Sequence, residues 1–109
     1  MSFDVELSAR AERDFQSIVD YLAKRSTSGA TSWIDAFEAM TLALPASAET
    51  HPLAPENDDH VETIRNALFK TRRGRTYRAV YIIRAGRVFI THIRGPGQNR
   101  IDDFYHGKQ

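Results

Sequence analysis

Phe3, Val5 and Leu7 alternate with Asp4 and Glu6, the period-two pattern of a short strand with one buried face. Ser8 follows as a helix N-cap, with Glu12 in the first turn beyond it. Ala11, Phe15, Ile18, Val19 and Leu22 then recur at three- and four-residue steps, predicting a helix over residues 9–25 that the cluster Ser26-Thr27-Ser28-Gly29 ends. Ala30, Trp33, Phe37, Met40 and Leu44 repeat that spacing in a second helix, which Pro45 closes. So short a polar turn predicts an antiparallel helical hairpin. Trp33 and Phe37 lie one helical turn apart and are expected to pack on a sheet with Phe15 and Leu22.

Residues 45–60 hold three of the four prolines and several acids, and read as a loop. Strand patterns occupy residues 62–73, 76–84 and 87–94, and Ala85-Gly86 is a tight turn that predicts an antiparallel hairpin. Along the middle strand Tyr77, Ala79, Tyr81 and Ile83 share one face, and Arg78, Val80, Ile82 and Arg84 the other. In the last strand Val88, Ile90, His92 and Arg94 alternate with Phe89, Thr91 and Ile93. Gly95-Pro96-Gly97 stops that strand, and the pattern from Gln98 onward is weak. The order β-α-α-β-β-β describes an α+β fold, with an N-terminal strand and a helical hairpin packed on a small antiparallel sheet. The 109 residues make a single domain, 1–109.

Charge divides this chain near residue 64. Four basic side chains face twelve acids before it, a balance of −8; eleven face two after it, a balance of +9. Ten of the eleven lie between Arg65 and Arg100, and nine of those are Arg, whose planar fork suits phosphates and carboxylates. A strand surface so charged fits a phosphate backbone or an acidic partner peptide; the bland alternative is a solvated face paired with acids of the helical half. A composition 41% hydrophobic and 27% charged is that of an ordinary globular chain. The absence of Cys excludes disulfides and thiolate metal sites. With no signal-peptide pattern and no apolar run near the roughly 18 residues of a membrane span, the expected location is the cytoplasm.

Strand pairing is expected to bring Arg78 and Arg94 to one end of the sheet, near His92, with Lys70, Arg72 and Arg73 within reach. Tyr77 and Tyr105 offer aromatic surface for stacked bases. For RNA cleavage by 2′-OH attack, His92 and Tyr105 are the proton carriers, and Arg78, Arg94 and Lys70 stabilise charge. As surface residues, Arg78 and Arg94 are expected to be replaceable without harm to folding. A lone strand histidine is more often a packed residue. His51, His60, His92 and His106 show no metal-ligand spacing, and no phosphate-cradling glycine motif is present, so neither metal nor cofactor is expected.

Leu7-Ser8-Ala9-Arg10-Ala11, followed by Asp14-Phe15-x-x-Ile18-x-x-Tyr21-Leu22, resembles the opening of the RelE/ParE toxin superfamily of bacterial type II toxin–antitoxin systems. Tyr77-Arg78-Ala79-Val80-Tyr81 is similar to its Tyr-Arg-x-x-Tyr strand, and Val88-Phe89-Ile90-Thr91-His92-Ile93-Arg94 to its last strand. The resemblance runs over nearly the whole chain and implies a helical hairpin on a small curved antiparallel sheet. It implies a growth-inhibiting toxin neutralised by a cognate antitoxin protein, of the kind associated with plasmid stabilisation. The RelE branch cuts ribosome-bound mRNA without metal; there Arg78 matches the strand arginine, Tyr105 the late tyrosine, and Lys70 and Arg72 approximate the upstream basic pair. Gly95-Pro96-Gly97-Gln98 replaces the basic stretch of that branch. The ParE branch binds and inhibits DNA gyrase, and His92-Ile93-Arg94 with the long helical hairpin resembles it more. On either branch Lys70, Arg72, Arg73, Arg75 and Arg78 are the expected target-binding residues. A non-toxic interaction module of the same fold is the third reading.

Overall fold

Ser8 is the hinge between the first two elements. In a computed structural model, which describes residues 4–59 and 62–96, its hydroxyl accepts from the Ala11 amide at 3.0 Å and donates to the Thr91 carbonyl at 2.9 Å. One side chain thus caps a helix and ties its start to the last strand. The elements run β1 (Asp4–Leu7), α1 (Ala9–Arg25), α2 (Thr27–Ser47), a 3₁₀ turn (Pro55–Asp59), β2 (Arg65–Phe69), β3 (Tyr77–Arg84) and β4 (Arg87–Arg94). The α+β order expected from the sequence is the order found.

Ser26 alone connects the helices. Its amide donates to the Leu22 carbonyl at the end of α1, and its hydroxyl accepts from Gly29 at the start of α2. α2 does not stop at Pro45 but continues to Ser47. A proline in the last turn removes only one hydrogen bond, and too little helix remains for its kink to matter. β2 is shorter than the strand expected over 62–73, because a turn closed by Gly74 N–H to the Thr71 carbonyl draws the chain off the sheet.

The sheet order is β1-β4-β3-β2. β2, β3 and β4 are antiparallel as expected, whereas β1 joins β4 in parallel. Parallel neighbours need a long crossover, and both helices and two strands intervene between β1 and β4. Ala85 and Gly86 have φ of 50° and 76°, the pair of positive values a two-residue hairpin turn requires.

The helical hairpin covers one face of the sheet. Ala11, Trp33, Phe37 and Leu44 bury against Ala67, Phe69, Ala79, Tyr81, Val88, Ile90 and Ile93. Trp33, 2% exposed, has four rings around it, with centroids of Phe15, Phe37, Phe69 and Tyr77 at 5.4–5.8 Å. On the opposite face a second cluster joins Val80 and Ile82 to Ala54 and Ile64, so the segment after α2 covers the sheet's other side. Both-sided burial explains why the middle strands are apolar on both faces.

Between Val80 and Tyr81 the pairing slips by one residue: Val80 faces His92 but Tyr81 faces Ile90. Thr91 is the extra residue of a β-bulge in β4. The bulge overturns the simple alternation of the last strand. Ile93 joins Val88 and Ile90 on the helix face, while His92 and Arg94 move to the face of Arg78 and Val80.

Trp33→Ala should lower stability by about 3–5 kcal/mol, since it removes the centre of the aromatic cluster. Thermal denaturation followed by circular dichroism measures it, and a variant that melts with the parent would contradict this packing.

Candidate functional site

Arg78 and Arg94 are Cα partners at the end of β3 and β4, and His92 lies two residues along, opposite Val80. The sequence-predicted grouping of these three side chains is therefore real, and the Thr91 bulge makes it. Arg78 Nη1 donates to Glu56 Oε1 at 3.0 Å and Nη2 to Glu56 Oε2 at 2.8 Å, while Nη1 also donates to Asn66 Oδ1 at 3.0 Å. Glu56 sits in the 3₁₀ turn and is 0% exposed. A two-pronged guanidinium–carboxylate pair in such a setting neutralises both charges and fixes both planes. Arg78 is thus a packing residue, and the expectation that it can be replaced without harm does not survive. Removing it strands a buried carboxylate.

Arg94 stands beside this pair. Burial, then the neighbouring Arg78, lowers its affinity for a proton. Asp14 of α1 balances the cluster from the other side. Its carboxylate accepts from the Ile93 amide at 2.9 Å and from Arg10 Nε at 2.8 Å, anchoring the helix to the bulged strand.

His92 is 3% exposed. Its Nδ1 lies 3.0 Å from Thr91 Oγ1, whose own proton goes to the Val80 carbonyl at 3.2 Å. Thr91 therefore accepts, which puts the imidazole proton on Nδ1. Burial, helped by Arg10 and Arg94 and opposed by Asp14, pushes the His92 pKa down to about 4. At neutral pH the ring is uncharged: a base in principle, and a poor proton donor.

The other sequence-predicted residues lie elsewhere. Lys70 follows β2 and is exposed, and Arg72, Arg73 and Arg75 extend along the β2–β3 loop toward the start of α2. Tyr77 faces the helical core, and its phenol pKa is raised, chiefly by burial. Tyr105 lies outside the described residues. Arg84 pairs with Glu62 and Arg87 with Glu6 at the opposite end of the sheet. With Arg78–Glu56, these pairs join the basic half to the acidic half, while the loop arginines have no carboxylate partner among the described residues. The bland alternative thus holds for Arg78, Arg84 and Arg87, and the loop arginines stay exposed. Among the described residues no group of three His, Asp or Glu could hold a metal ion, and no helix is long and apolar enough to cross a membrane.

Glu56, Asn66 and Asp14 were missed by sequence reasoning. The acid-rich run after Pro55 signalled only a loop, and which of its acids turns inward depends on the sheet it covers. A family model described as the ParE toxin of the type II toxin–antitoxin system parDE matches residues 5–99. A search of curated proteins gives no match to the chain.

Arg78→Ala should destabilise the fold by about 3–5 kcal/mol, and adding Glu56→Leu should recover much of that loss; urea titration of the single and double variants reads it. For pH, His92 binds its proton more weakly folded than unfolded. Its contribution is full above about 6.5, falls as pH drops, and levels off below about 4. Up to roughly 3 kcal/mol is involved. His92→Gln should flatten that acid limb in stability curves taken across the window.

Proposed function

The chain belongs to the ParE toxin family of type II toxin–antitoxin systems, and we propose that it arrests growth by binding DNA gyrase, without cutting RNA. The observation that carries this reading is the buried Arg78–Glu56 pair. A nuclease needs that strand arginine's charge for a crowded phosphorane, and here a carboxylate already holds both of its donor arms. His92, buried and neutral near pH 7, is also poorly placed to protonate a leaving oxygen.

A binding toxin needs a surface instead. Lys70, Arg72, Arg73 and Arg75 are exposed in the β2–β3 loop and offer that surface to the target. Unlike Arg78, they lose little to folding if replaced. The cognate antitoxin is a small, acid-rich chain whose charge complements the basic half of the toxin.

Purified protein should block supercoiling by gyrase and leave ribosome-bound mRNA intact. Arg72→Glu with Arg73→Glu should relieve the block by about tenfold or more while the melting temperature stays close to that of the parent. Cleavage of mRNA at unchanged supercoiling would sink the proposal. In cells, production of the chain should stop growth, and co-production of the small acidic protein encoded beside it should restore growth.

A further inference from the structure

A cleft of about 670 Å³ lies between the tip of the helical hairpin and the β2–β3 loop. Tyr21 and Tyr77 supply aromatic surface over the buried Trp33 at its floor, and Arg25, Arg73 and Arg75 supply charge. Among the described residues no acidic side chain lines it, and none of the three arginines pairs with a carboxylate. That contrasts with Arg78, Arg84 and Arg87, each held by a glutamate. Arg25 instead donates to the Tyr21 hydroxyl at 2.7 Å and lies 5.6 Å from the centre of that ring, a contact that restrains the tyrosine beside the cleft. Trp33 brings an indole N–H that has no acceptor among the described residues.

A second, smaller hollow adjoins the cleft and shares Gly29, Thr71 and Arg73 with it. It adds Arg72 and the hydroxyl residues Ser26, Ser28 and Ser32. The two together grade from aromatic and cationic to hydroxyl-lined and cationic. The first suits a planar, uncharged ring system, and the second suits oxyanions.

We propose that this continuous cleft binds a nucleoside phosphate, with the base against Tyr21 and Tyr77 and the phosphates toward Arg72, Arg73 and the serine hydroxyls. A volume of this size is that of a small-ligand site rather than a flat peptide-docking face. Stacking on aromatic rings plus arginine contacts to phosphate is the chemistry that recognises such a ligand. The inference rests on the cleft alone and is independent of whether gyrase is the toxin's target.

Trp33 is the one tryptophan in the chain and lines the cleft, so its fluorescence reports occupancy directly. ATP titrated into the full chain should quench it saturably. Tripolyphosphate should displace ATP, and adenosine alone should bind more weakly than ATP. Arg73→Glu with Arg75→Glu should weaken ATP by about tenfold or more with the melting curve unchanged. Tyr21→Ser should weaken ATP but not tripolyphosphate, which separates base recognition from phosphate recognition. A non-saturating response from folded protein overturns the proposal, as does ATP affinity that survives the charge reversal. Equal affinity for ATP and tripolyphosphate, untouched by Tyr21→Ser, overturns it in favour of a bare phosphate site. Saturable binding of a glutamate-rich peptide with none of ATP overturns it in favour of an acidic segment.

Discussion

Thr91 is one residue more than the pairing of β4 with β3 can absorb, and much of this molecule is arranged around it. The bulge lets Ile93 bury under the helices while turning His92 and Arg94 to the other side. Without it Arg94 would sit against the helices and Ile93 on the far face, and burying an unpaired guanidinium is far costlier than a kink in a strand. Three groups hold the irregularity in place. Ser8 donates to the Thr91 carbonyl, Asp14 accepts from the Ile93 amide, and the Thr91 hydroxyl donates to the Val80 carbonyl. The first two come from the first turns of α1 and its cap, so the same contacts that hold the shift in the pairing of β4 also dock the helical hairpin.

The arginines of the basic half divide by position into paired and exposed sets. Where arginines leave β3 and β4 they meet glutamates from the acidic half, and the deepest of these, Arg78–Glu56, fastens the segment after α2 over the second apolar cluster. Exposed pairs such as Arg87–Glu6 contribute little to stability. A buried pair is weak as a source of net stability, yet strong as a constraint, because neither partner can be released alone. In the β2–β3 loop the arginines meet no carboxylate partner among the described residues and remain exposed.

Two features read as possible chemistry in the sequence acquire structural roles once their surroundings are known. His92 packs as a neutral ring bonded to Thr91, and Arg78 is the counter-ion of a buried glutamate. The catalytic expectation drew on both, together with Arg94, Lys70 and Tyr105. The binding reading depends only on the loop that remains open.

Periodicity and caps made the helical hairpin, the β3–β4 turn and the aromatic cluster around Trp33 legible, since each depends on residues near one another in the chain. That Arg78 and Arg94 lie at one end of the sheet was legible for the same reason, although the two-residue turn alone would set Arg78 opposite Ile93 and the bulge shifts it to Arg94. Over most of its length the chain also carried the pattern of its family. Only the tertiary structure decided the parallel seat of β1, the bulge at Thr91 and the partner of Arg78. Each of these joins residues far apart in sequence, such as Glu56 with Arg78 or Ser8 with Thr91. A local pattern states which side chains prefer burial, but which of two distant acids meets a given arginine is decided by the packing of the whole chain.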